Sequence, residues 1–131
     1  MSSPIFFQET HYYSKKAREE IRPLLNIYKK YREDMYKGYV FPIGDEPDNQ
    51  SWTGFQNYNP DLKTGYLTIF RELHNKEKSK NIELKFFENK RIELLNLLTG
   101  DKTVMNQEGS TILFTSKEPA EFQFYRYTIL D

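Results

Sequence analysis

The chain has 131 residues, no cysteine, and 19 basic side chains against 19 acidic ones, so its formal charge is zero. That length fits one core, large enough to hold without staples. The missing cysteines exclude a disulfide framework, an iron–sulfur cluster, a cysteine zinc site and thiol redox chemistry, and the charge balance supplies no field for nucleic acid or an anionic membrane.

Chain order begins with a helix. From Ser14 to Lys37 the apolar positions Ala17, Ile21, Leu24, Leu25, Tyr28, Tyr31 and Met35 recur at steps of three and four, which is the helical period. Ser14 is placed to cap the first turn, and Gly38 stands just past the end. Pro23 removes one backbone donor inside the pattern, so the expectation is either a kink between Glu19 and Pro23 or two helices sharing a face.

After Gly38 the period changes. Tyr39 to Ile43 reads as a short edge strand, because Pro42 has no N–H to give to a central ladder. The run from Gly44 to Ser51, rich in Asp, Pro and Asn, is a loop by its turn chemistry. Strands then follow at intervals of about ten residues: Trp52 to Tyr58, Gly65 to Leu73, Ile82 to Phe87, Arg91 to Leu98, Thr103 to Asn106, Thr111 to Thr115 and Glu121 to Ile129. Alternation sets Ile82, Leu84 and Phe86 on one face against Glu83 and Lys85, and sets Phe122 and Phe124 against Gln123 and Tyr125. Arg91 to Leu98 carries leucines on both faces, as a central strand or a bulge would.

Short strands without intervening helical patterns predict a mainly β chain: an antiparallel β-sandwich of seven to eight strands with one long N-terminal helix. Residues 1–37 form the N-terminal segment and helix, and 38–131 the sandwich, in one compact unit. No apolar run approaches the ~20 residues of a membrane-spanning helix, and the first residues lack the basic-then-apolar order of a leader peptide. Periplasmic, extracellular and cytoplasmic locations are all compatible with that.

The segment Tyr39-Val40-Phe41-Pro42-Ile43, then Ser51-Trp52-x-x-Phe55-Gln56, Asn59-Pro60-Asp61-Leu62 and Gly65-Tyr66-Leu67-Thr68-Ile69-Phe70-Arg71, following a helix that ends near Gly38, resembles the C-terminal end of melibiase-type glycoside hydrolases, family 36 and its relatives in the α-galactosidase clan. The resemblance implies that Ser14 to Lys37 corresponds to the last helix of a catalytic (β/α)8 barrel and Tyr39 to Asp131 to the sandwich behind it. The Trp52 to Arg71 stretch carries it; beyond Glu72 the match is one of pattern. In that family the two catalytic aspartates lie on barrel strands that precede this region. No position here matches their motifs, so the resemblance implies a non-catalytic accessory domain, with the barrel of the parent chain as its partner.

The residues give no reacting constellation. A retaining glycosidase needs two carboxylates roughly 5 Å apart with their pKa values driven apart. Asp45, Glu46 and Asp48 crowd one loop, but Pro47 and Asn49 suit a solvated turn, and the spacing is not that of an EF-hand. His11 and His74 stand in terminal and turn contexts, and no phosphate loop, nucleophile elbow or zinc-helix motif occurs. No metal or cofactor is expected.

Ten Tyr, ten Phe and one Trp bring the aromatic share to 16%, and planar rings suit both half-buried strands and the apolar faces of sugars. Trp52, Phe55 and Tyr58 are the candidate glycan platform, the alternative function being a carbohydrate-binding module. The competing assignment places the same rings in the joint between helix and sheet, with Tyr12, Tyr13, Tyr125 and Tyr127 lining it, and burial statistics favour that core role. Arg71 and Glu72, adjacent in a strand, point to opposite faces and need separate partners. The apolar stripe of the helix calls for a neighbour: the sandwich, a barrel, or a second copy by self-association.

Overall fold

The structure is a computed structural model that describes residues 11–130. The first ten residues of the expected N-terminal segment, and residue 131 at the end of the sandwich, lie outside the described residues. One helix, α1 (Lys15–Tyr36), is followed by eight strands: β1 (Tyr39–Gly44), β2 (Trp52–Asn59), β3 (Thr64–Arg71), β4 (Ser79–Glu83), β5 (Lys90–Asn96), β6 (Lys102–Gln107), β7 (Thr111–Thr115) and β8 (Phe122–Ile129). They form a six-stranded antiparallel sheet in the order β1-β2-β3-β8-β5-β6 and a two-stranded ribbon, β4-β7. The expected mainly β sandwich with a leading helix is what the chain adopts. No helix among the described residues is long and apolar enough to cross a membrane.

Local chemistry explains the elements. Ser14 Oγ accepts the Ala17 N–H at 3.1 Å and opens α1, filling one of the donor positions a helix start leaves free. The helix runs unbroken through Pro23, so the two-helix alternative does not hold. Pro23 and Glu19 are both exposed. β1 is an edge strand, with Pro42 opposite Phe55, where a missing N–H disturbs no second ladder. β5 lies between β8 and β6. Ile92 and Leu94 enter the core while Leu95 turns to the helix side, which accounts for its two-faced leucines.

The core lies between the sheet and the ribbon. Trp52, Leu67, Ile69, Ile92, Leu94, Tyr127 and Ile129 meet Ile82, Leu84, Phe87, Ile112 and Phe114 there. Alternation turns the intervening residues to the other side, where α1 lies, so the molecule has three layers. The expected alternation fails at Phe86. β4 ends at Glu83, Phe86 takes φ +68°, and the chain swings so that Phe87 is buried while Phe86 is exposed.

Two phenols are unusually placed. Tyr127 Oη donates to Asn57 O at 2.8 Å and accepts from Gln56 Nε2 at 3.2 Å, and burial pushes its pKa far above the usual tyrosine range. Tyr66 Oη donates to Asp34 Oδ2 at 2.6 Å; burial first, then the hydrogen bond and charge of Asp34, push it up likewise. A raised folded-state pKa favours the fold fully below the unfolded tyrosine value of about 10, and that contribution is lost as pH climbs above it. We therefore expect the tyrosinate absorbance of these two residues to appear only together with alkaline unfolding, each adding up to about 1.4 kcal/mol of destabilisation per pH unit above about 10. Two-step ionisation with native circular dichroism retained throughout would contradict this.

Candidate docking face

The site of interest is built on the helix side of the large sheet. Antiparallel register lines up rows across the strands: Asn57, Tyr66, Arg126 and Leu95 in one, Phe55, Thr68 and Phe124 in the next, and Thr53, Phe70 and Phe122 beyond. The first row holds the end of α1. Asn57 Nδ2 donates to Met35 O at 3.0 Å, Tyr66 Oη bonds Asp34, Arg126 Nε lies 3.9 Å from Asp34 Oδ2, and the Tyr31 and Tyr66 rings sit 5.9 Å apart. Gly38 permits this approach, since a Cβ there would fall 2.5 Å from the Asn57 amide.

From that anchor the helix crosses the sheet. Asn26, Ile27, Lys30 and Tyr31 face Leu95 to Leu97 and Gly100 across a cleft of about 330 Å³, so β5 is reached by the middle of α1. The N-terminal half of α1 carries half-buried Ala17, Ile21, Leu24 and Leu25.

Beside the helix the next two rows carry three exposed rings. Phe55, Phe70 and Phe122 are 48%, 37% and 37% exposed; the Phe70 and Phe122 rings lie 6.1 Å apart. Rows are about 7 Å apart along the strands, so these rings lie just beyond the row that α1 covers.

The structure does not bring Trp52, Phe55 and Tyr58 onto one surface. Trp52 is 1% exposed in the core, its Nε1 donating to Glu77 O at 2.9 Å. Phe55 points to the helix side. Tyr58 points to the core side, where it packs against the core and stacks on Phe86. A step of three reverses the face in a strand, and that signal was present in the spacing. Trp52 emission is expected to resist aqueous quenchers such as iodide and to ignore added sugars; ready quenching in the folded chain would overturn its placement.

The remaining candidates have structural partners. Asp48 Oδ1 accepts from Gln50 N and Ser51 Oγ, both at 2.8 Å, and these bonds, the first most, hold its carboxyl below the usual range. Asp45 pairs with Lys80 at 2.9 Å. His11 packs on Tyr12 before α1, and His74 lies in the loop after β3. Among the described residues no three His, Asp or Glu side chains are grouped to hold a metal. Tyr12 is 78% exposed and Tyr13 also open; Tyr127 is core, with Tyr125 packed against it. Arg71 and Glu72 do part: the guanidinium enters the core side, while Glu72 Oε2 accepts from Ser51 N at 2.9 Å and Asp48 N at 3.1 Å.

No protein-family model matches the chain, and no curated protein matches it.

Proposed function

We propose that this chain is a non-catalytic accessory domain of an α-galactosidase-like glycoside hydrolase and that it packs its helix side against a catalytic barrel. The observation that carries the reading is the open aromatic strip of Phe55, Phe70 and Phe122 on the helix side of the sheet, beside the row that α1 covers. Such a face costs free energy in water and is relieved by a neighbour. The resemblance of Trp52 to Arg71 to the region behind a melibiase barrel supplies the identity of that neighbour, and the order of helix, edge strand and aromatic strand agrees with it.

The test begins with the reading frame around Met1. A barrel-length extension, or an adjacent barrel gene, is expected. Joining the chain to that barrel is expected to give aryl α-galactoside hydrolysis that the chain alone lacks, and Phe70→Ser with Phe122→Ser is expected to weaken the association about tenfold or more. Turnover by the isolated chain, or a frame with no barrel beside it, would count against the proposal.

A further inference from the structure

On the opposite side of the sheet from α1, Phe41, Tyr58 and Phe86 line a cleft of about 820 Å³ with Lys63, Glu83, Lys85, Glu88, Lys90 and Ser110 around it. We infer that this cleft is a carbohydrate subsite in which the exposed face of Phe86 stacks on the apolar face of a neutral pyranose. The inference rests on the cleft alone and is independent of the docking reading.

Three observations converge on it. Phe86 is stacked on Tyr58, with ring centroids 4.6 Å apart and planes 25° from parallel, and meets Phe41 edge-on at 5.9 Å. It remains 51% exposed, so one side of the stack is covered and the other is open. A bulky aromatic in the left-handed region is an outlier, and Phe86 holds φ +68°. Lys63 on the same cleft and Asn89 between two of its lining residues also have positive φ, so the strain gathers around this cleft.

The conformation is held from below by a buried side chain. Gln56, 0% exposed, accepts the Lys85 N–H at 2.8 Å through Oε1 and donates to Lys85 O at 2.9 Å through Nε2. Both polar groups of the residue before Phe86 are therefore clamped, and the same Nε2 is shared with Tyr127 Oη. A ring held in place before binding loses little entropy on contact.

The rim selects the chemistry. Two carboxylates and three ammonium groups supply acceptors and donors at nearly balanced charge, as a ring of hydroxyls requires. At that near balance the rim gives a full charge of either sign little net field, and a flat aromatic molecule would leave the polar rim unused. Pyranose C–H faces meet aromatic faces as other apolar surfaces do.

The full chain would be titrated by calorimetry with raffinose, cellohexaose, xylohexaose and maltohexaose, and the contact mapped by amide chemical shifts. We expect millimolar or tighter binding of at least one, with shifts centred on Tyr58, Lys63 and Phe86. Phe86→Asn, a residue at ease in the left-handed region, is expected to weaken it about tenfold or more, while Phe86→Tyr keeps it. Phe70→Ser leaves it unchanged. Absence of binding by all four sugars, shifts centred elsewhere, or equal binding by Phe86→Asn would overturn the assignment; the shift map decides the matter even if a variant fails to fold.

Discussion

Gly65→Ala is expected to destabilise the chain by about 3 kcal/mol, the upper part of the range for overpacking. Gly65 faces Tyr127 across the β3–β8 ladder. The Tyr127 phenol passes over it to reach Asn57 O, and an added Cβ would overlap both that carbonyl and the ring. Neither obstacle is the loose end of a flexible side chain: one is ladder backbone and the other a ring fixed by two hydrogen bonds. The methyl therefore has to separate β2 from β3 or expel Tyr127 from the core. With unfolding entropies typical for this chain length, the loss corresponds to a fall in melting temperature of roughly 10 °C. Gly65→Ala combined with Tyr127→Phe is expected to recover little, since the ring remains and the Asn57 carbonyl loses its donor. A melting temperature within about 2 °C of the parent chain would show that the strands do not approach as described.

Arg71→Ala is expected to cost a comparable 3 to 4 kcal/mol, on the order of breaking a buried charged network. The side chain is 5% exposed, and its guanidinium donates to Ser116 O at 3.2 Å, Lys117 O at 3.3 Å and Asn75 O at 2.9 Å. These carbonyls belong to the loops following β3 and β7, so one planar fork closes that end of the sandwich. Asn75 Oδ1 in turn accepts from Glu77 N at 2.9 Å, and Glu77 O receives the Trp52 indole. Truncation leaves buried acceptors without donors and removes the packing of the aliphatic stem. Arg71→Lys is expected to recover less than half of the loss, because a single ammonium does not reproduce the fork. Denaturant unfolding with an unchanged m-value measures this; near-equal stability of wild type and Arg71→Ala would contradict it.

The layout was largely legible in the sequence, and the reasons are local. The three-and-four spacing from Ala17 to Met35, with Ser14 ahead and Gly38 behind, marks α1. Pro42 marks an edge strand, and Leu94 and Leu95 mark a strand with neighbours on both sides, while Leu97 and Leu98 fall in the turn after it. Turn residues separate the rest. What escaped was fixed by long-range pairing. Nothing near Phe86 signals its left-handed backbone, because the Gln56 amide that clamps it comes from 29 residues away. Likewise Arg71 has no acidic partner among the described residues to suggest its burial; its acceptors are backbone carbonyls, two of them 45 and 46 residues distant.

The aromatic candidates show both sides of this. Trp52 and Tyr58 face the ribbon rather than the joint between helix and sheet expected of them, and strand period alone puts Phe55 on the other face. Identifying which face the helix covers required the register, since both faces of β2 and β3 carry large residues. The open strip at Phe55, Phe70 and Phe122 follows from α1 crossing only one row of the sheet, a fact that no sequence window contains.

Amide hydrogen exchange of this chain, alone and joined to a catalytic barrel of the kind proposed as its partner, tests the docking face most directly. The account expects slowed exchange in α1 from Lys15 to Leu25 and in β2, β3 and β8 around Phe55, Phe70 and Phe122, with the Phe86 cleft unchanged. Protection confined to the cleft side, or none on the helix side, would contradict it.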